Sequence, residues 1–407
     1  MAQFSDSANR DAAADASQLL ARIGYVALAL ATPSALALSS RAIFLLFPIG
    51  VALLLVAAAL DPAAGLFARL RWVFAAPAGL APLALVAWAA LSLLWSPFPS
   101  SGAQLLLKLV GTTLATTLVV ASAREHIRAT DLYLFPIGVA LTMATIFCVW
   151  LAGRHGSAVD AGRIEVGGVA IAVLLYPALG GLISRGRNGY ARALTMLALA
   201  YVFAIGSAAT AAALLVGFTV LGFAIADIRR TARELSWLSA GLTATFPLVL
   251  AIASAATRFA VNAKLTDLPP PYSTLAAATK LVLHDKARLI TGHGLDAVAR
   301  GLEAGWLPAA APRSAAVEIW YDLGVVGALA AAAAIWLGFR AVGGVAPRLA
   351  PYLAAALACD VTFAFLSESF ADMTWVTLLA ISAVAVGAAA RSQYHTTRPS
   401  AAHLAQL

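Results

Sequence analysis

The chain has 407 residues, of which 62% are hydrophobic and only 11% are charged. A soluble domain carries roughly 25% charged residues, so this composition excludes a soluble globular protein and indicates an integral membrane protein. The formal net charge of +8 does not indicate a nucleic-acid partner, because the basic residues are dispersed among short polar segments without interleaved aromatic residues.

The apolar runs are long, are rich in Ala, Leu, Val and Gly, and show no two-residue alternation. A membrane-spanning helix needs about 20 apolar residues, so the predicted fold class is all-α, a polytopic transmembrane helical bundle of about 12 spans. The predicted spans cover residues 22–39, 42–60, 72–95, 104–122, 132–152, 165–184, 190–207, 209–227, 236–256, 315–339, 348–366 and 373–390.

The distribution of basic residues between these runs predicts the topology. Residues 1–18 are small and polar, so the first run is expected to be a retained span rather than a cleaved signal peptide. If the amino terminus is cytoplasmic, most arginines fall in inside loops, and the positive-inside rule then places both termini in the cytoplasm. An error of one span would move the large loop to the other side. The inside arginines are Arg69, Arg71, Arg124, Arg128, Arg185, Arg187, Arg192, Arg229, Arg230, Arg233, Arg340 and Arg348.

Residues 257–314 interrupt the apolar sequence and are predicted to form one large periplasmic loop that contains short helices. Residues 1–256 then hold spans 1–9, residues 315–390 hold spans 10–12, and residues 391–407 form a cytoplasmic tail. The loop is cationic, with seven basic residues against Asp267, Asp285, Asp296 and Glu303. The seven are Arg258, Lys264, Lys280, Lys286, Arg288, Arg300 and Arg313.

Two features of the loop are candidates for chemistry. A helix predicted over Ser273 to His284 would place Lys280 and His284 four residues apart on one face. The sequence Gly292-His-Gly294 permits a tight turn. His293 could be a general base, although a single loop histidine is more often neither ligand nor catalyst.

Several charged residues lie within or beside the apolar runs, where they mark function or helix pairing. Arg163 lies where the sixth span begins, and its planar guanidinium group is suited to bind a pyrophosphate. An interfacial anchor is the simpler interpretation of Arg163 taken alone. The others are Lys108, Glu318, Asp322, Asp360, Glu368 and Asp372. Cys148 and Cys359 fit small buried apolar positions, and no metal-binding motif is present.

Three segments together resemble the bacterial O-antigen ligase and O-antigen polymerase superfamily. They are Leu94-Trp-Ser-Pro97 at the end of the third span, Leu289-Ile-Thr-Gly-His-Gly-Leu295 in the loop, and Pro312-Arg-Ser-Ala-Ala-Val-Glu-Ile-Trp-Tyr-Asp-Leu-Gly-Val-Val-Gly327. The family has a Pro-Leu-Phe-Gly-x-Gly turn, then a His-Asn segment that runs into a helix with Glu-Leu-Gly-x-x-Gly. Arg163 falls at the place of the first family arginine.

The resemblance implies a glycosyltransferase of the bacterial inner membrane. Such proteins pass a glycan from an undecaprenyl diphosphate carrier to lipid A-core, or to another envelope glycan acceptor, on the periplasmic side. They need no metal and no cofactor, and their other contacts are with membrane lipid. In this chain the implied donor contacts are Arg163, Lys280, His284, Lys286 and Arg288, and the implied catalytic residues are His293 and Arg313.

The departures from the family pattern are specific. Arg313 and Ser314 stand where the family has histidine and asparagine, and an arginine cannot act as a base at neutral pH. The second family arginine is also missing, with Lys280 the nearest cation. Either His293 or His284 acts as the base, or the acceptor differs, or this chain no longer performs transfer. Arg313 could instead add a further phosphate contact.

Three classes of function therefore stay open. The first is a lipid-linked glycan transferase, a ligase or a polymerase, in which Arg163, Lys280, His293 and Arg313 converge on one outward cavity. The second is a non-catalytic relative that binds a lipid-linked sugar. The third is a secondary transporter, which would show an inverted repeat and broken helices at the midplane. No such repeat is visible in the sequence.

Overall fold

The computed structural model describes residues 2–60, 70, 77–123, 129–154, 161–262, 277–282 and 288–391. All regular elements in these ranges are helices, and no strand occurs among them. The helices are α1 Ala2–Val26, a π-helical turn Ala27–Ala31, α2 Thr32–Leu36, α3 Ala42–Leu60, α4 Pro77–Ser92, α5 Pro99–Ser122, α6 Ala129–Leu132, α7 Leu134–Arg154, α8 Ala161–Ser184, α9 Asn188–Ile205, α10 Ala208–Ala226, α11 Ile228–Ala244, α12 Phe246–Asn262, α13 Arg288–Thr291, α14 Ala297–Glu303, α15 Ala315–Val342, α16 Ala350–Leu366 and α17 Met373–Arg391.

Eight of the described helical segments are long and apolar enough to cross a membrane, and α11 with α12 makes a ninth if that bent pair is one span. Two more apolar helices are shorter, Gly79–Ser92 within α4 and Ala350–Leu366. Many large apolar side chains are exposed, such as Leu107, Leu215 and Phe223, as expected for surfaces that face lipid rather than water. The predicted all-helical, multi-pass membrane protein is confirmed.

Helix α8 is the most enclosed of the spans and lies at the centre of the main hydrophobic cluster. Close approach of neighbouring helices depends on small residues, as is common in membrane bundles. A Cβ at Gly217 of α10 would overlap with the ring of Tyr176 on α8, whose hydroxyl donates to the Leu214 carbonyl at 2.8 Å. Helix α8 is thereby fixed against α10.

The ninth predicted span, residues 236–256, is not one straight helix. Helices α11 and α12 meet at Thr245 with a bend of 76°. Pro247 follows the bend, and proline has no N–H to donate to the carbonyl four residues earlier, that of Thr243. The indole Nε1 of Trp320 donates to this carbonyl instead, at 2.8 Å. A side chain of α15 therefore satisfies the group that the proline leaves without its helical partner.

Helix α15 is also broken, although the sequence predicted one continuous span over residues 315–339. Gly324 has φ 66° and ψ −162°, which are not helical values. The three carbonyls that precede it bond elsewhere: Tyr321 O accepts from His293 N at 2.9 Å, Asp322 O from Gly294 N at 2.8 Å, and Leu323 O from Trp88 Nε1 at 2.8 Å. The loop turn at residues 292–294 therefore replaces the missing helical bonds.

Gly324→Ala should lower the free energy of unfolding by about 1–3 kcal/mol, because the positive φ strains any side chain there and the new Cβ would overlap with the Ile290 carbonyl. Thermal unfolding of the detergent-solubilised protein measures the change. Gly338→Ala is the matched control on the same helix, since nothing lies within 4 Å of its Cβ position. Equal unfolding temperatures for the two variants would contradict this account of the break.

Candidate functional site

Two buried acids at the start of α15, Glu318 and Asp322, each hold a different loop. The Asp322 carboxylate accepts from the backbone N–H groups of Asp296 and Val298, both at 3.0 Å. The Glu318 carboxylate accepts from the Ser369 hydroxyl and from Phe370 N, the latter at 2.8 Å. Glu318 and Asp322 are one helical turn apart, so a single helix end fixes the turn before α14 and the segment between α16 and α17.

A polar cavity of about 380 Å³ lies between these two loops and the first turns of α5. Ser101, Gln104, Leu105 and Lys108 contribute the α5 side, and Arg313 comes from the segment just before α15. Asp296, Ala299, Arg300 and Glu303 contribute the α14 side, and Ser367, Glu368, Ser369, Ala371, Asp372 and Met373 contribute the side between α16 and α17. Helix ends and loops therefore form this cavity, at one end of the bundle.

The charges in this cavity are largely paired. Arg300 Nε donates to Ser101 Oγ at 2.7 Å and to Asp296 Oδ2 at 3.2 Å, and its Nη1 donates to Glu303 Oε2 at 2.6 Å. The pKa of Arg300 is raised by Asp296 first and by Glu303 second. Arg313 Nη2 lies 3.8 Å from Glu303 Oε1. The cavity thus combines three cations with four carboxyl groups, and Arg300 and Arg313 are both engaged by acids of the α14 side.

A second polar cavity, of about 230 Å³, adjoins the first. Its walls include Gly162, Glu165, Val166 and Val169 of α8 and Thr374, Trp375 and Leu378 of α17. Ser367, Glu368 and Asp372 line both cavities. The start of α8 therefore lies beside residues that also line the cavity of Lys108 and Arg313.

Glu368 on the shared wall has an unusual protonation equilibrium. Burial first, and then the charges of Asp372 and Glu165, raise its pKa to about 7, although a hydrogen bond from the Ser367 hydroxyl opposes the shift. A carboxyl group with a pKa near neutrality is a common feature of sites that exchange protons with a ligand.

The structure brings together only part of the predicted site. Arg313 lines the larger cavity, whereas Lys280, His293 and Arg288 are not among its lining residues. Arg163 lies in the first turn of α8, and its side chain is outside the described residues. His284 and Lys286 also lie outside them. Of the helix predicted over 273–284, the described part, 277–282, is helical.

His293 has a structural role in the described fold. Its ring stacks on the ring of Tyr321 with centroids 3.9 Å apart and planes 6° apart. Its Nδ1 lies 3.1 Å from the Tyr321 carbonyl oxygen, so the proton is on Nδ1. The histidine therefore completes the bonding of the Gly324 break. Lys280 is exposed on a short helix whose apolar side packs with Val298 and Trp320.

The sequence did not single out most of the residues that form the cavity. Ser101, Asp296, Arg300 and Glu303 come from distant segments and belong to no motif. For Lys108, Glu368 and Asp372 the sequence did indicate a functional position, because each is a charged residue near the end of an apolar run. Among the described residues, no group of three or more His, Cys, Asp or Glu is arranged to hold a metal ion.

A third cavity lies within the membrane part of the bundle and is mainly apolar, with a volume of about 960 Å³. Its lining residues come from α5, α16 and α17, and those from α5 lie farther along that helix than the residues that line the polar cavity. Asp360 of α16 lines it, and its Oδ1 is enclosed without a hydrogen-bond partner in the described part of the chain.

Comparison with protein-family models, with curated proteins and with solved structures finds no match to this chain.

Asp322→Ala should release the turn before α14, because two buried amides lose their acceptor at a cost of about 1–3 kcal/mol each. Hydrogen–deuterium exchange should rise across residues 294–303. The control is Asp227→Ala, which removes one acceptor from the exposed Arg230 amide at the start of α11 and should affect only residues near 230. Unchanged exchange at 294–303 in the Asp322 variant would contradict the assigned role.

The raised pKa of Glu368 predicts a pH-dependent stability. Its ordinary value is 4.5, so between about pH 4.5 and pH 7 the unfolded chain loses this proton while the folded chain keeps it. Stability from this group is therefore fully present below pH 4.5 and is lost as the pH rises through about 7. The unfolding temperature should fall between pH 4.5 and pH 8, and Glu368→Gln should make this fall smaller. Glu234→Gln, at an exposed ion pair with Arg230, should leave the fall unchanged.

Proposed function

We propose that this chain is an O-antigen ligase-like membrane glycosyltransferase, which transfers a glycan from undecaprenyl diphosphate to lipid A-core or another envelope acceptor. The observation that carries the proposal is the polar cavity where α5, α15, α16 and α17 begin or end. A lipid-linked substrate has its chain in the bilayer and its reacting sugar at the surface, so its reacting centre requires a cavity at this depth.

The lining of the cavity supports a glycan that carries a diphosphate. Sugar hydroxyls donate to carboxylates and accept from hydroxyl and amide groups, and Ser101, Gln104, Asp296, Ser367 and Asp372 supply these. A departing diphosphate develops negative charge, which fixed cations in a partly desolvated cavity stabilise. Lys108 and Arg313 are placed for that role, and Arg163 is proposed to act from the start of α8.

The helix order supports a topology of 12 spans with both termini cytoplasmic. We count α1 with α2 as the first span and α11 with α12 as the ninth. The spans that then begin on the outer side include α5, α8, α15 and α17, and α16 ends on that side. The residues of both polar cavities come from these ends. Residues 257–314 are then proposed to face the periplasm of a bacterial inner membrane, in line with the positive-inside rule.

A second candidate is a relative that binds a lipid-linked sugar without transferring it. The engagement of Arg300 with Asp296 and Glu303 favours this candidate, because a paired guanidinium group has less charge to offer a phosphate. The position of His293 on Tyr321, away from the cavity lining, removes one candidate base. Transfer therefore depends on another group in the cavity.

Glycan attachment to lipid A-core, in a strain that lacks its own O-antigen ligase, tests the transferase. Arg313→Ala and Lys108→Ala should each lower attachment by about tenfold or more, since each removes a cation from the developing charge. Arg163→Ala should do the same. Arg340→Ala is the control, because Arg340 lies over the Trp336 ring near the far end of α15.

Each variant is first checked for membrane insertion and for its amount. No attachment by the intact inserted protein would contradict ligase activity with this acceptor. Binding of undecaprenyl diphosphate-linked oligosaccharide by that same protein, without transfer, would favour the second candidate. Full attachment by the Arg313 and Lys108 variants would contradict the proposed location of the donor.

A further inference from the structure

Two acids, Glu368 and Asp372, line both polar cavities. Glu368 is half-buried, whereas Asp372 is exposed. A general base must lie within hydrogen-bond reach of the acceptor hydroxyl, and a carboxyl group that lines both cavities can meet a hydroxyl placed where the two cavities adjoin.

The backbone around Glu368 is fixed from several sides. Glu368 N donates to Phe363 O at 3.0 Å, and Glu368 O accepts from Ala315 N at 2.6 Å. The following residues, Ser369 and Phe370, are held by the Glu318 carboxylate. A proton-transferring group must keep its place within hydrogen-bond reach of the reacting atom, and this segment meets that requirement.

We propose that Glu368 is the general base of the glycan transfer and takes the proton of the acceptor hydroxyl. This inference rests on the proposed function. It assigns to this chain the role for which the sequence left only His293 or His284, and it places that role on the wall between the two cavities.

The transfer replaces one bond at the anomeric carbon of the donor sugar with another. The acceptor hydroxyl loses its proton to the Glu368 carboxylate, and the hydroxyl oxygen forms a bond to the anomeric carbon of the donor sugar. The bond from that carbon to the diphosphate oxygen breaks, and the electron pair leaves with undecaprenyl diphosphate. Water then takes the proton from Glu368. No oxidant, reductant or further reactant is needed.

The surroundings allow Glu368 to hold and release a proton near neutral pH. Burial raises the pKa of Glu368 most, and the neighbouring acids Asp372 and Glu165 raise it as well, so its carboxylate is a stronger base than that of an exposed glutamate. The charged groups that line the two cavities with it, or hold its segment, are Lys108 of α5, Glu165 of α8, Asp296 before α14, Arg300 and Glu303 of α14, Arg313 before α15, Glu318 of α15, and Asp372 before α17.

Purified protein in nanodiscs tests the proposal, with labelled undecaprenyl diphosphate-linked oligosaccharide and lipid A-core from the source bacterium. Glu368→Gln should lower kcat by about 10²–10⁴-fold with little change in the KM of the donor. The intact protein should gain activity as the pH rises through about 7, and the variant should lose this dependence. Glu368→Asp should keep part of the activity, and Glu234→Gln should keep all of it.

The outcomes separate this inference from the function on which it rests. Transfer by the intact protein, with at least half of kcat and the same pH dependence in Glu368→Gln, would overturn the role of Glu368 and leave the transferase standing. No transfer by the intact protein would overturn the proposed function and this inference with it. If Glu368→Gln does not fold, an unaltered kcat and pH profile in Glu368→Asp overturns the inference.

Discussion

The break of α15 at Gly324 is the constraint on which the rest of the site depends. A helix interrupted near a membrane surface leaves carbonyl groups without partners, and these are costly unless another group bonds to them. Here the partners are two backbone amides of the loop turn, at His293 and Gly294, and the indole of Trp88. The loop turn therefore has one place on the bundle, and α14, which follows it, is positioned with it.

The two acids of α15 extend this arrangement to the far wall of the cavity. Asp322 bonds to the start of α14, and Glu318 bonds to the segment between α16 and α17. Carboxylates that accept backbone N–H groups are strong and specific contacts. Because both acids belong to one helix turn, the distance between the cavity walls is set by α15 itself. The same end of α15 therefore positions both the loop turn and the two walls of the polar cavity.

The charged groups of the polar cavity differ in how far they are engaged by neighbouring side chains. Arg300 is engaged by Asp296, Glu303 and Ser101, so it orders the α14 side of the cavity. Lys108 and Arg313 come from other segments, and the shared wall with Glu368 connects this side to the start of α8. In the proposed transfer, Lys108 and Arg313 would stabilise the leaving diphosphate and Glu368 would accept the proton of the incoming hydroxyl, all from the lining of two adjoining cavities.

The sequence by itself determined the helical membrane fold, because long apolar runs have no other way to satisfy their backbone in lipid. It also located the loop, the turn at Gly292-His-Gly294 and the charges Lys108, Glu318, Asp322 and Glu368 at the ends of apolar runs. Only the tertiary structure decided that Gly324 and Pro247 break their helices, since the partners at His293, Gly294 and Trp320 are remote in sequence. It likewise decided that His293 packs on Tyr321 while Glu368 lines both cavities, because which side chains share a cavity depends on packing between helices and not on spacing along the chain.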